Sequence, residues 1–206
     1  MRFRSPRVAR SRYEGTKQAD AILRAARAVF IRDGASGFSA RRVGREAGLS
    51  LGSVQHVFPT ADALLVGMFE YVVNSYDARY QEMSSRLPQN AAARWAAVVD
   101  VLVDDVFDPD TRRFFFGFWA LSCHNRLVGT LVREGYAYHI TNIAGFIAGA
   151  RPDLSEDQCR ARARQVAAMI EGWLVYVRPG LSAAERRQLR EDLKAGINAV
   201  VNAPRA

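Results

Sequence analysis

The segment Ser39–Thr60, SARRVGREAGLSLGSVQHVFPT, decides the fold. Ser39 is suited to cap a short helix running through Ala47, in which Val43 and Ala47 recur one turn apart and point inward. Arg41, Arg42 and Arg45 are then left to water or phosphate. Gly48-Leu49-Ser50 breaks this helix and recaps the chain, and a third helix opens at Leu51 with Val54 and Phe58 inward at i and i+4. Pro59 stops it, because proline disfavours helical geometry in the residue before it. Two short helices joined by a tight glycine-containing turn make a helix-turn-helix, a motif whose second helix reads the DNA major groove.

Upstream, Ala19, Ile22, Leu23, Ala26, Val29 and Phe30 line one face of a helix that starts after Thr16 and is expected to end at Gly34. Downstream, Thr60 is a cap for a fourth helix running to about Arg86, with Asp62 in its first turn. Further helices are expected over Asn90 to Val106, from Asp108-Pro109 onward, and from Arg126 to about Ala150. Ser155-x-x-Gln158 and Ser182-x-x-Glu185 have the spacing of capping boxes and open the last two. No period-two alternation or hairpin turn occurs, so the predicted fold class is all-α with about nine helices. The expected organisation is a flexible basic arm over 1–15, a helix-turn-helix domain over 16–61, and a helical effector-binding and dimerisation domain over 62–206.

Charge supports this division. Residues 1–60 hold 12 of the 29 Lys and Arg but 4 of the 21 Asp and Glu, which accounts for the whole net charge of +8. The rest of the chain balances at zero, as expected for a polyanion-binding module joined to a neutral one. The longest apolar stretch, Phe114–Cys123, is about half of what a membrane span requires, so no membrane association is expected. The N-terminus lacks the apolar core of an export signal, and with two cysteines, Cys123 and Cys159, a reducing cytoplasm is the expected compartment. The three histidines form no His-x-x-x-His pair, and there is no Cys-x-x-Cys, nucleophile elbow or phosphate-cradling loop. No metal, cofactor or catalytic constellation is therefore predicted, and an all-helical enzyme is the weaker alternative.

Ala25-Ala26-x-x-x-Phe30-x-x-x-Gly34, Ser39-x-x-x-Val43-Gly44, Ala47-Gly48-Leu49-Ser50-x-Gly52-x-Val54-x-x-x-Phe58-Pro59 and Leu64-Leu65 together resemble the N-terminal DNA-binding domain of the TetR family of bacterial regulators. Phe118-Trp119-Ala120 and Ile170-Glu171-Gly172-Trp173-Leu174 resemble the C-terminal domain of its BetI-type, choline-responsive branch. The chain departs from the family at Gln55 and Ala61, where Tyr and Lys usually contact phosphates, and at Val57, which replaces an aromatic residue. The resemblance implies a ligand-responsive regulator, most simply a repressor, that binds a palindromic double-stranded DNA operator as a homodimer. A DNA-binding regulator with no effector is the alternative.

Candidate DNA contacts are Ser39, Arg41, Arg42, Ser50, Leu51, Gly52, Ser53, Gln55, His56 and Thr60. Gln55 can bond an adenine edge in two places, and His56 can reach a base or a phosphate. Ser39, Arg41 and Arg42 suit phosphates, and the arginine-rich arm suits the minor groove. For the dimer, Val166, Ile170, Trp173, Leu174 and Val177 form one apolar stripe and Leu189, Leu193, Ile197 and Val200 another, expected to pair as a four-helix bundle about a two-fold axis. Trp95, Phe115, Phe118, Trp119, Cys123, Tyr138 and Trp173 are the candidate walls of a site for an apolar or cationic small-molecule effector, an expectation carried by the resemblance and by aromatic content.

Overall fold

The computed structural model describes residues 16–86 and 90–204. The expected basic arm, 1–15, lies outside the described residues. Nine α-helices and no strand occur among the described residues: α1 (Lys17–Gly37), α2 (Ala40–Ala47), α3 (Leu51–Val57), α4 (Ala61–Arg86), α5 (Ala91–Phe107), α6 (Pro109–Ser122), α7 (Arg126–Ala150), α8 (Glu156–Tyr176) and α9 (Ala183–Asn202). Local chemistry sets most of the boundaries. The hydroxyls of Thr16, Ser39, Ser50 and Thr60 accept the N–H groups of Ala19, Arg42, Ser53 and Ala63. Both predicted capping boxes are formed. Gly34 takes φ 68° and ψ −177°, outside helical geometry, so the first helical run ends there as expected; a further short helical turn, included in α1, follows as far as Gly37.

The described residues divide into two compact units, 16–81 with 113–136, and 82–86 and 90–112 with 137–204. The first is thus larger than the 16–61 segment expected for DNA binding, because α4, α6 and the start of α7 complete its core. Phe30 of α1, Val43 of α2, Val54 of α3 and Phe58 are buried together with Leu64, Met68 and Phe69 of α4, Phe114 and Phe118 of α6, and Val128 and Leu131 of α7. Phe118 is fully buried, its ring 4.9 Å from Phe30, 5.0 Å from Phe69 and 4.7 Å from Phe114. A three-helix segment of this size cannot bury a sufficient core alone, and these rings supply it.

In the second unit α5, α8 and α9 pack on one another. Trp95 of α5 donates its indole N–H to Asn198 of α9 at 2.8 Å. Arg190 pairs with Asp104, and Lys194 pairs with Asp100 at 2.9 Å. Arg162 of α8, 9% exposed, donates to the carbonyls of Val201 and Ala203, and Arg151 donates to Val201 at 2.8 Å. Two guanidiniums thereby satisfy carbonyls left open at the C-terminal end of α9, where the helix dipole favours positive charge.

This packing corrects the expected dimer contacts. Val166, Leu193 and Ile197 are 0% exposed and Leu174 2%, all covered by their own chain, and Ile170 and Val177 are 7% exposed. Side chains already removed from water have no surface to give to a second subunit. Trp173, Leu189 and Val200 keep partial exposure. The outward side of α8 instead carries Ala168, Gly172, Val175 and Tyr176, the last two 67% and 68% exposed.

Candidate nucleic-acid interface

The turn between α2 and α3 is built around two glycines. Gly48 closes α2 in the left-handed region, φ 69° and ψ 28°, where an L side chain is strained. Its N–H bonds back to Gly44 and Arg45, and the Leu49 N–H reaches the Gly44 carbonyl at 2.8 Å. Gly44 is needed for space: a Cβ there would lie 2.9 Å from the Leu49 carbonyl oxygen and 3.3 Å from Val54 Cγ2. With Val43, Val54 and Phe58 buried beneath, α3 is fixed against α2 and its opposite face is left to solvent.

On that face Ser50, Gly52, Gln55 and His56 are exposed, and Leu51 and Ser53 are half-buried. The Ser50 hydroxyl is engaged twice, by the Ser53 N–H at 3.0 Å and the Ser53 hydroxyl at 2.9 Å, so these two serines chiefly shape the start of the helix. Gln55 and His56, further along, are available to bases. Ser39 and Thr60 each accept a capping N–H and keep a hydroxyl proton that can be donated to a phosphate.

Arg41 and Arg45, one turn apart on α2, are exposed and pair with no carboxylate among the described residues. This is the outward placement expected for both from the sequence. Arg42 is held at 3.3 Å by Asp33, which also takes Arg32 at 3.0 Å, and Arg32 reaches Glu46 at 2.8 Å. The hydrogen bond from Arg32 is the main cause that holds the Asp33 carboxyl below its usual value, against a desolvation effect that raises it. Asp33 is therefore charged at neutral pH and orients Arg42. An exposed pair of this kind is worth little and leaves the guanidinium free to be shared with a phosphate.

Comparison with known proteins agrees with this geometry. Residues 22–68 match the family model described as bacterial regulatory proteins, tetR family, and residues 90–202, more than half of the chain, match the one described as BetI-type transcriptional repressor, C-terminal. The chain belongs to the TetR family. This TetR-family protein is a transcriptional regulator with a helix-turn-helix DNA-binding domain, and not an enzyme. It is 28% identical over 137 residues to the HTH-type transcriptional regulator PksA of Bacillus subtilis, a stretch that spans 64% of each chain. It is 28% identical over 135 residues to the HTH-type transcriptional regulator BetI of Pseudomonas aeruginosa, covering 64% of this chain and 67% of that one. A TetR transcription regulator from Haloarcula marismortui shares the fold with a TM-score of 0.74 at 16% identity, over 88% of this chain and 97% of the other.

The residues expected to hold an effector are divided between the two units. Phe115, Phe118, Trp119 and Cys123 belong to the first, and Trp95, Tyr138 and Trp173 to the second. Phe118 is corrected to core, since its ring is closed in by other aromatics. Trp95 is 7% exposed with its N–H already used by Asn198, and it acts as packing between α5 and α9. Trp119 is half-buried, and donates its N–H to the Tyr136 hydroxyl at 2.7 Å. Cys123 is exposed, with its thiol 3.4 Å from the Trp119 carbonyl. No helix of the described residues is long and apolar enough to cross a membrane, and no group of side chains suited to a metal ion occurs among them.

Proposed function

We propose that the protein is a repressor that binds a palindromic operator as a homodimer in the cytoplasm and is released when a small molecule binds its C-terminal domain. The observation that carries this is the exposed row formed by Arg41 and Arg45 on α2 and by Gln55 and His56 on α3, set by a buried apolar face and a turn with no spare room. Arginines anchor the phosphates, and Gln55 reads the base edge. A single helix of this length reads too few bases, so two copies on half-sites roughly 34–36 Å apart supply the specificity.

The outward side of α8 supports the two-fold pairing. Ala168, Gly172, Val175 and Tyr176 repeat at helical spacing, and the small residues allow a second copy's helix to approach closely. On α9, Ala195 and Ala199 repeat one turn apart and are exposed. The transmitting element is α4, which continues unbroken from Ala61, just after α3, to Arg86. A ligand that binds two dimer arrangements unequally shifts their populations, and a tilt of α4 moves the two recognition helices out of step with adjacent grooves.

Selection of binding sites from random duplexes, with sedimentation of the free protein, tests this reading. The expected result is a two-fold symmetric consensus sequence and a dimer that Tyr176→Glu converts to monomer with loss of tight binding. A protein that sediments as a monomer and enriches no sequence refutes it.

A further inference from the structure

Helix α7 carries a buried polar group that the packing does not account for. Asn142 is 2% exposed, and its amide nitrogen makes no hydrogen bond among the described residues. Buried amides are nearly always paired, because leaving the donor unmade forfeits its hydration with nothing in return. One turn to either side on the same helix face stand Tyr138 and Phe146, 4% and 6% exposed, so the amide lies along a stripe between two aromatic side chains. All three belong to the second unit, within the part of the chain that matches the BetI-type C-terminal domain.

We infer that Asn142 is the polar recognition residue of the effector site, taking an oxygen acceptor, a carbonyl or a carboxylate, on a ligand whose flat apolar part lies against Tyr138 or Phe146. This rests on the effector-binding role proposed above and narrows its chemistry. A quaternary ammonium group brings no acceptor for this N–H, whereas an amide or acid does. Asn142 is then a selectivity element: it disfavours ligands that leave its donor unmade and favours those that satisfy it. The usual aromatic attraction for cations is available on the neighbouring rings, but the buried donor opposes it.

Thermal unfolding of the full chain without DNA, for wild type and Asn142→Leu, provides the test. The probes are phenylacetamide, phenylacetate and benzyltrimethylammonium, which share a benzyl group and differ in the polar end. The wild type is expected to gain stability with phenylacetamide or phenylacetate and none with benzyltrimethylammonium, and the preferred member of the first two tells a carbonyl site from a carboxylate site. Without any compound, Asn142→Leu is expected to melt about 2–6 °C higher, since an unsatisfied donor has been exchanged for an apolar group of similar size, and to lose the response to the probe. An Asn142→Leu protein that melts lower than wild type, a wild type stabilised by the quaternary ammonium or by none of the compounds, or a response retained in the variant overturns the inference. Sequence-selective DNA binding is measured in parallel. If it is present while any of these results holds, the ligand chemistry alone is wrong; if it is absent, the repressor reading fails by itself.

Discussion

Replacing Gly44 by alanine separates a residue kept for space from one kept for flexibility. Gly44 has ordinary helical geometry, so on propensity alone the substitution stabilises α2 by about 1 kcal/mol. Against this, the added Cβ would sit 2.9 Å from the Leu49 carbonyl oxygen, a backbone atom that cannot rotate away, and 3.3 Å from Val54 Cγ2 in the core. Relieving such an overlap costs about 1–3 kcal/mol and moves the turn by a few tenths of an ångström. Gly52→Ala, whose Cβ would meet nothing nearer than Ser50 Oγ at 3.8 Å, is the internal control in the same unit. We expect Gly44→Ala to unfold with a midpoint about 2–12 °C below Gly52→Ala, since 1 kcal/mol shifts Tm by about 2–4 °C in a chain of this length. It should also bind its selected operator at least about tenfold more weakly, through loss of one well-aligned base contact. Thermal denaturation followed by circular dichroism and operator titration are the assays. If Gly44→Ala proves as stable as the Gly52 variant, or binds like wild type, the claim that this turn is limited by space is refuted.

Two further outcomes follow from the same structure. Gln55→Ala should relax preference at one position of each half-site, with a cost of about 1–3 kcal/mol on the selected sequence only, whereas Arg41→Ala should weaken all duplexes alike and lower the salt slope by about 1; the reverse pattern in titrations at several salt concentrations excludes these assignments. Burial pushes the His139 imidazole down to about 4 from its ordinary 6.5. The unfolded chain therefore binds the proton that the folded one refuses, so this contribution to stability is complete above pH 6.5 and is lost as pH falls toward 4. Between pH 7 and pH 5 the loss is on the order of 2 kcal/mol. Urea denaturation at the two pH values should show it in wild type and much less of it in His139→Gln.

Much of this protein was legible in the sequence because the signals are local. A serine hydroxyl bonds an N–H three residues on, so the caps at Ser39, Ser50, Ser155 and Ser182 could be placed without knowing what surrounds them. Gly48 and Pro59 act on their own backbone and immediate neighbours, which located the turn and the end of the recognition helix. Gly34 shows the limit of such reasoning. Its positive φ was readable, but whether the next residues resume the helix was not.

Only the tertiary structure decided what covers each apolar face. The stripe of Val166 and Leu174, like that of Leu193 and Ile197, has the same spacing whether it meets its own chain or a second copy, and packing within the chain claimed both. The exposed Val175 and Tyr176 share helical spacing with Ala168 and Gly172, but that this face stays open emerges only once the inner face is filled. In the same way Phe118 became core and Asn142 an unsatisfied donor. Periodicity records that a helix has an apolar side, while the neighbour that side meets depends on contacts between residues far apart in the chain.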